Sequence, residues 1–141
     1  MASIIPRFVK KEIVDVWVAE DLRLMLLDNL FVPNAAIQQY AGQSGVVDRR
    51  LAASGPYPAD GMPIVGRIQS YDGNNAFLDA TDINIGPAAT LSYRYGCVYA
   101  FKGGSLSTSP IRCIIDFVTD QIVTNGTSTI QWNSLGIIYV S

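Results

Sequence analysis

The chemistry open to this chain is narrowed first by what it lacks, because none of its 141 residues is histidine. Without imidazole there is no Ser-His or Cys-His nucleophile pair, none of the common zinc ligand sets, and no side chain that by default shuttles protons near neutrality. Few reactive groups remain. Cys97 and Cys113 sit 16 positions apart in apolar segments without C-x-x-C spacing. They read as buried reduced thiols behaving as small hydrophobes, with a bridge between neighbouring strands left open. Asp72, Asp79 and Asp82 offer carboxylates for a calcium loop but lack the D-x-[DN]-x-[DN]-G spacing such a loop needs, so they read as solvated turn residues. Asp116 and Asp120 suggest the paired carboxylates of a glycosidase, yet nothing else of such a site accompanies them, and a surface or interface placement accounts for both.

Lys102-Gly103-Gly104-Ser105 puts glycine after the lysine, whereas a Walker loop needs Gly-Lys-Ser/Thr at the start of a helix. It reads as a loop ending at Ser109-Pro110. Arg49-Arg50, with Arg67 and Tyr57, makes at most a small basic-aromatic patch, far short of the long cationic groove of a single-strand nucleic-acid binder. Tyr93, Tyr95, Tyr99, Trp17 and Trp132 read as core or subunit-contact rings rather than a sugar platform. No nucleophile elbow, acid-base pair or metal set emerges, so the expected function is non-enzymatic and without cofactors.

The elements that must carry these residues follow from length and pattern. A chain of 141 residues suits one domain and can bury a core without metal or disulfide staples. Ten basic against twelve acidic residues give a net charge of -2, which supplies no field to gather nucleic acid or anionic lipid. Charged residues are 16% of the chain against about 25% in average soluble domains, so the surface must be unusually neutral, as in surfaces that meet other protein. The longest apolar runs, such as Leu24-Met25-Leu26-Leu27, are far too short to span a bilayer. The first eleven residues, MASIIPRFVKK, lack the apolar core of a secretory signal.

Residues 12–18 and 22–28 read as two β strands joined in a hairpin across Ala19-Glu20-Asp21, the second strand central or covered. Ala35–Gln43 has the best helical propensity and Asn34 is its candidate cap. Residues 42–73 are punctuated by Gly and Pro, as an exposed loop or long hairpin with a strand at 63–71 and, at 48–53, a strand in preference to a helical turn. Asp72-Gly73-Asn74-Asn75 turns the chain into a strand at 77–85. Strict alternation marks strands at 91–102 and 111–118, and a final hairpin across Asn133-Ser134-Leu135 joins 127–132 to 136–140. Eight short strands with at most one short helix predict an all-β fold, an antiparallel β-sandwich or jelly-roll-like single domain over 12–141 behind an N-terminal arm at 1–11.

Five segments carry a family likeness: LRLMLLDNLFVPN at 22–34, LDATDINI at 78–85, YRYGCVYAF at 93–101, STSPIRCIIDF at 107–117 and STIQWNSLGII at 128–138. In order and spacing the chain resembles a family of small β-rich virion structural proteins of tailed bacteriophages. It departs from that family at Asp82-Ile83-Asn84-Ile85, where members carry an Asp-Val-Thr-Trp-like stretch, and at Lys102-Gly103-Gly104, where they often carry a Lys-Asp-Thr-Gly-like turn. The resemblance implies a structural role in a virion assembled in a bacterial cytoplasm, with no active site to carry over.

Within that setting the favoured expectation is a capsid decoration (cement) protein on the major capsid protein lattice, acting as a homo-oligomer, a trimer favoured. The rivals are a head-tail adaptor or tail component and, from another class, a carbohydrate-binding module using Tyr57 or Tyr71. The expected contacts are the apolar arm, with Ile4, Ile5, Pro6, Phe8 and Val9 lying on a neighbour, and the loop at 42–61, with Pro56, Tyr57 and Pro58 at its turn.

Overall fold

A computed structural model describes residues 4–132 and 137–140. Among the described residues the chain is mainly β, with two antiparallel sheets and a single helix longer than seven residues. That helix, α1, spans Arg7–Val18. The strands are β1 (Leu22–Leu27), β2 (Met62–Pro63), β3 (Ile68–Asp72), β4 (Asn75–Asp79), β5 (Ile83–Ala100), β6 (Ile111–Ile130) and β7 (Ile138–Val140), with a four-residue helical turn, α2, at Ser44–Val47. One sheet runs β2-β1-β5-β6 and the other β3-β4-β7.

β1 is central, as its doubly apolar pattern predicts, pairing with β5 from Leu22↔Ala100 to Leu27↔Tyr95. Its alternation divides the interior. Leu22, Leu24 and Leu26 face a core shared with Val14 of α1, Ala76 and Leu78 of β4, and Ile83, Ile85 and Leu91 of β5. Met25 and Leu27 face a second, smaller core with Cys97, Tyr99, Phe31, Ala41 and Val46. The four-stranded sheet is therefore covered on one side by α1 and the second sheet, and on the other by the irregular segment 28–47. The one-residue register shift at the start of β6, where Val98 opposes Cys113 and Tyr99 opposes Ile111, marks a bulge at Arg112. A bulge adds one residue to one strand and re-aims its neighbours. Ile111 and Ile114 thus pack on the second core while Cys113, Ile115 and Phe117 pack on the first.

Several expectations are corrected. Residues 12–18 are helical, so no hairpin precedes β1, and the boundary between an arm at 1–11 and a domain from 12 falls inside α1. Val and Ile are β-prone, but Val14 is fully buried against the first core and Lys10 anchors the helix by donating to the Asn74 carbonyl at 3.1 Å. Tertiary packing overrides propensity here.

The helix expected at 35–43 is only a turn. The Asn34 carbonyl accepts from Ile37 and Gln38 as a helix would require. The Gln43 side-chain oxygen then takes the N–H groups of Gln39 and Tyr40, which diverts donors from a continuing helical ladder. The strand expected at 48–53 instead follows α2, with Asp48 and Arg49 closing its turn and one bridge, Leu27↔Arg50.

The hairpin at Asp72–Asn75 is present. The expected strand at 77–85 is split into β4 and β5. The turn of the final hairpin lies outside the described residues; β7 pairs with β4, while 127–130 belongs to β6. In place of eight short strands there are seven among the described residues, two of them 18 and 20 residues long.

Candidate contact surfaces

Helix α1 is amphipathic in an unusual sense. At 100° per residue, Arg7, Lys10, Val14 and Trp17 share the inner side, while Phe8, Val9, Ile13 and Val16, with Glu12 among them, share the outer one. Inward, the Arg7 guanidinium lies 4.0 Å from the Tyr71 ring centroid, and the Arg67 Nε donates to the Val18 carbonyl at 3.0 Å, satisfying a helix C-terminal acceptor. Outward, Ile4 is 89% exposed, Phe8 73% and Val16 58%. Of the expected arm residues, Ile4, Ile5 and Pro6 precede the helix and Phe8 and Val9 belong to it, and all five are exposed. The helix brings Phe8 and Val9 onto one apolar stripe with Ile13 and Val16, and Ile4 and Ile5 lead into it; sequence reading missed this because it placed Ile13 and Val16 on a strand.

A second apolar surface lies on the other side of the main sheet. Segment 28–47 buries Phe31, Ala41 and Val46 in the second core but leaves Leu30 68%, Val32 73% and Ile37 63% exposed. These three side chains line an open cleft of about 490 Å³ together with Asp48 and Arg49. That volume is within the range of sites that accept a small ligand or a few side chains.

The proline turn is rigid rather than a loose loop. Ser54 and Tyr57 exchange backbone hydrogen bonds at 3.0 Å, and the Ser54 hydroxyl accepts from Thr90 N–H at 2.9 Å. Tyr57, expected as a contact residue, is instead 1% exposed, its hydroxyl oxygen accepting from the Leu26 N–H at 2.8 Å. Burial raises its phenol pKa, partly opposed by that N–H. Tyr99 donates to the Asp60 carbonyl, and burial pushes its own pKa up to about 12. Gly61 adopts φ +107 where an added Cβ would strike the Leu24 carbonyl, so the chain passes against β1 only without a side chain. Pro56 and Pro58 remain exposed on either side of the buried ring.

No family model matches the chain, and no similar curated protein or solved structure is found.

The groups considered for chemistry are held in structural roles. Cys97 and Cys113 are free and belong to opposite cores, which separates them by the thickness of the sheet. Burial pushes both thiols up, Cys113 to about 12, so neither is an available thiolate at neutral pH. Asp116 pairs with Arg94 at 2.9 Å, which lowers its pKa, and Asp120 accepts from the Asn29 amide. Asp79 accepts from Ala80 N–H and Asp82 from Trp132 N–H. Among the described residues no three His, Cys, Asp or Glu side chains converge as a metal set.

Lys102 serves an ion pair with Glu20 at 2.5 Å, and its loop is tied down by Thr108 and Ser109 hydroxyls donating to the Lys102 and Ser105 carbonyls. As for a sugar platform, the Tyr57 ring is buried and the Tyr71 ring is covered by Arg7. No helix among the described residues is long and apolar enough to cross a membrane.

Proposed function

We propose that this chain is a structural subunit of a tailed-phage virion, a decoration or cement protein that binds the major capsid protein lattice and works without catalysis. The observation that carries this reading is the pair of exposed apolar surfaces, the α1 stripe and the 30–49 cleft, placed on opposite faces of one sheet. A solitary soluble domain gains nothing by leaving Phe8, Val16, Leu30, Val32 and Ile37 in water, whereas a subunit that is always packed against others buries them. The resemblance of five segments to virion proteins supports the setting.

Pro56 and Pro58, held by the Tyr57 and Tyr99 anchors, form the rigid edge proposed to meet the shell. Single contacts of this size bind weakly, and several copies joined in a small oligomer, three being the number expected, raise effective concentration on a repeating lattice. Avidity of this kind exceeds single-site affinity by about 10² to 10⁴.

The corresponding test uses purified protein and shells stripped of it. Replacing Ile5 and Phe8 with Asp is expected to weaken shell binding by on the order of 10²-fold through lost avidity. The far-UV circular dichroism should not change, because both side chains are exposed. Undiminished binding by the variant would reject the role of the stripe, and failure of the wild type to bind shells would reject the decoration reading.

A further inference from the structure

We infer that the α1 stripe of one protomer seats in the 30–49 cleft of a second copy, so that copies join head to tail. This deepens the reading above by naming the partner of the stripe, and it rests on that reading for the stripe's being a contact surface.

Placement within the fold comes first. α1 packs on the first core and the cleft is built over the second, on the opposite face of the β2-β1-β5-β6 sheet. A chain cannot fold its own helix around the sheet into its own cleft, since Val14 and Lys10 fix the helix where it is. Shape agrees, because the stripe is a convex ridge with Phe8 as its largest projecting group and the cleft is a concavity walled by Leu30, Val32 and Ile37. An aromatic anchor entering an apolar pocket is the usual centre of a protein contact.

Charge selects the occupant. Glu12 lies within the apolar stripe, exposed, with no ion pair among the described residues, and Lys11 adjoins it. In the cleft the order of sign is complementary, with Arg49 lining it beside Asp48. Arg49 reaches its only ion-pair partner among the described residues, Asp28, at a long 3.6 Å and is free to swing to an incoming carboxylate. Pairing two α1 stripes face to face does the reverse. About a two-fold axis through the middle of the stripe, Glu12 and its twin would come within about one helical turn of each other in an apolar contact, while the adjoining Lys11 is engaged by Asp15 at 2.5 Å. Like charges so placed are repulsive, and more so when desolvated.

The contact is therefore heterologous, and repetition of a heterologous contact yields a closed ring or an open filament. A closed ring presents every Pro56–Pro58 edge in the same orientation, as multivalent attachment to a lattice requires.

A mixing experiment with the full chain tests this directly. Phe8→Asp disables the stripe and keeps the cleft; Ile37→Asp disables the cleft and keeps the stripe. Both residues are more than 60% exposed, so each variant should keep the wild-type circular dichroism spectrum. By sedimentation or light scattering, the 15.3 kDa wild-type chain should be a multimer and each variant alone a monomer. An equimolar mixture should form a one-to-one dimer that grows no further, because it has one working stripe for one working cleft.

A wild type that is monomeric at all concentrations overturns the inference, and so does a mixture that stays monomeric. An Ile37→Asp chain that still self-associates overturns it in favour of stripes pairing with each other. Shells are absent from this experiment, so a wild type that multimerises but ignores shells would sink the decoration reading alone.

Discussion

Replacing Tyr57 with Ala should remove at least about 4 kcal/mol from the folding free energy, the largest loss expected from one exchange in this chain. Truncating a buried aromatic ring costs about 3 to 5 kcal/mol through lost burial and the cavity left behind. The Leu26 N–H, in the central strand, would lose its acceptor as well, at about 1 to 3 kcal/mol. Against the 5 to 15 kcal/mol typical of a domain, the variant would be close to unfolded. Tyr57→Phe isolates the second contribution, because it keeps the ring and removes only the oxygen, and should cost about 1 to 3 kcal/mol. Urea titration of the three proteins checks both values. A Phe variant as stable as wild type would show that Leu26 N–H finds another acceptor and that the ring alone holds the turn. The consequence reaches the proposed shell-binding edge, since Pro56 and Pro58 flank this anchor.

Glu20 is the next most consequential position. Its carboxylate is almost wholly buried at the end of the α1–β1 connection, where it receives two hydrogen bonds from Arg112 at 2.9 and 2.6 Å and an ion pair from Lys102 at 2.5 Å. Arg112 is the bulged residue of β6 and also lies over the Trp17 ring at 5.8 Å, so one carboxylate ties α1, β6 and the 102–109 loop together. Glu20→Ala would leave Arg112, itself mostly buried, without its counter-charge, and breaking such a pair from one side costs about 3 to 5 kcal/mol.

The same site gives a pH dependence with a definite sign. Burial raises the Glu20 pKa, but the hydrogen bonds and charges of Arg112 and Lys102 outweigh it and hold the carboxyl below its ordinary value of 4.5. A depressed folded pKa means that the stabilisation is fully present above about 4.5. It is lost as pH falls further, through the folded value. The stability difference between wild type and Glu20→Gln should therefore shrink below about pH 4.5. A difference that is constant from pH 7 down to pH 3 would contradict the assignment.

What the residues alone disclosed divides along physical lines. The strands at 91–102 and 111–118 are legible because their alternation is strong, although bulges send Leu91 and Tyr93 to the first core and Tyr95, Cys97 and Tyr99 to the second; their extension into the 18- and 20-residue β5 and β6 is not legible. Beyond Asp116 the β6 side chains alternate between half-buried and exposed rather than apolar and polar, so Thr, Asn and Gln carry no clear signal. The helix at 7–18 was misread for the reason that makes it interesting. A helix that buries Lys10 and Val14 and half-buries Trp17 while exposing Ile13 and Val16 is apolar on two sides, and neither helical nor strand period stands out. The expectation that 42–61 forms a contact loop was half legible. Gly and Pro marked the turn, but only the three-dimensional closeness of Tyr57 to Leu26 and of Gly61 to Leu24 shows that the turn is clamped to the sheet. The cleft was invisible, because Leu30, Val32, Ile37 and Arg49 are brought together by the diversion of residues 39–43 from a helix.

The central claim is that this chain is a building block repeated over a shell, and its copy number in purified particles tests that claim most directly. Quantitative mass spectrometry or gel densitometry against the major capsid protein should find it in amounts on the scale of the shell lattice, hundreds of copies per particle. A handful of copies would place it at the head-tail axis or in the tail instead, and particles without it would contradict the account altogether.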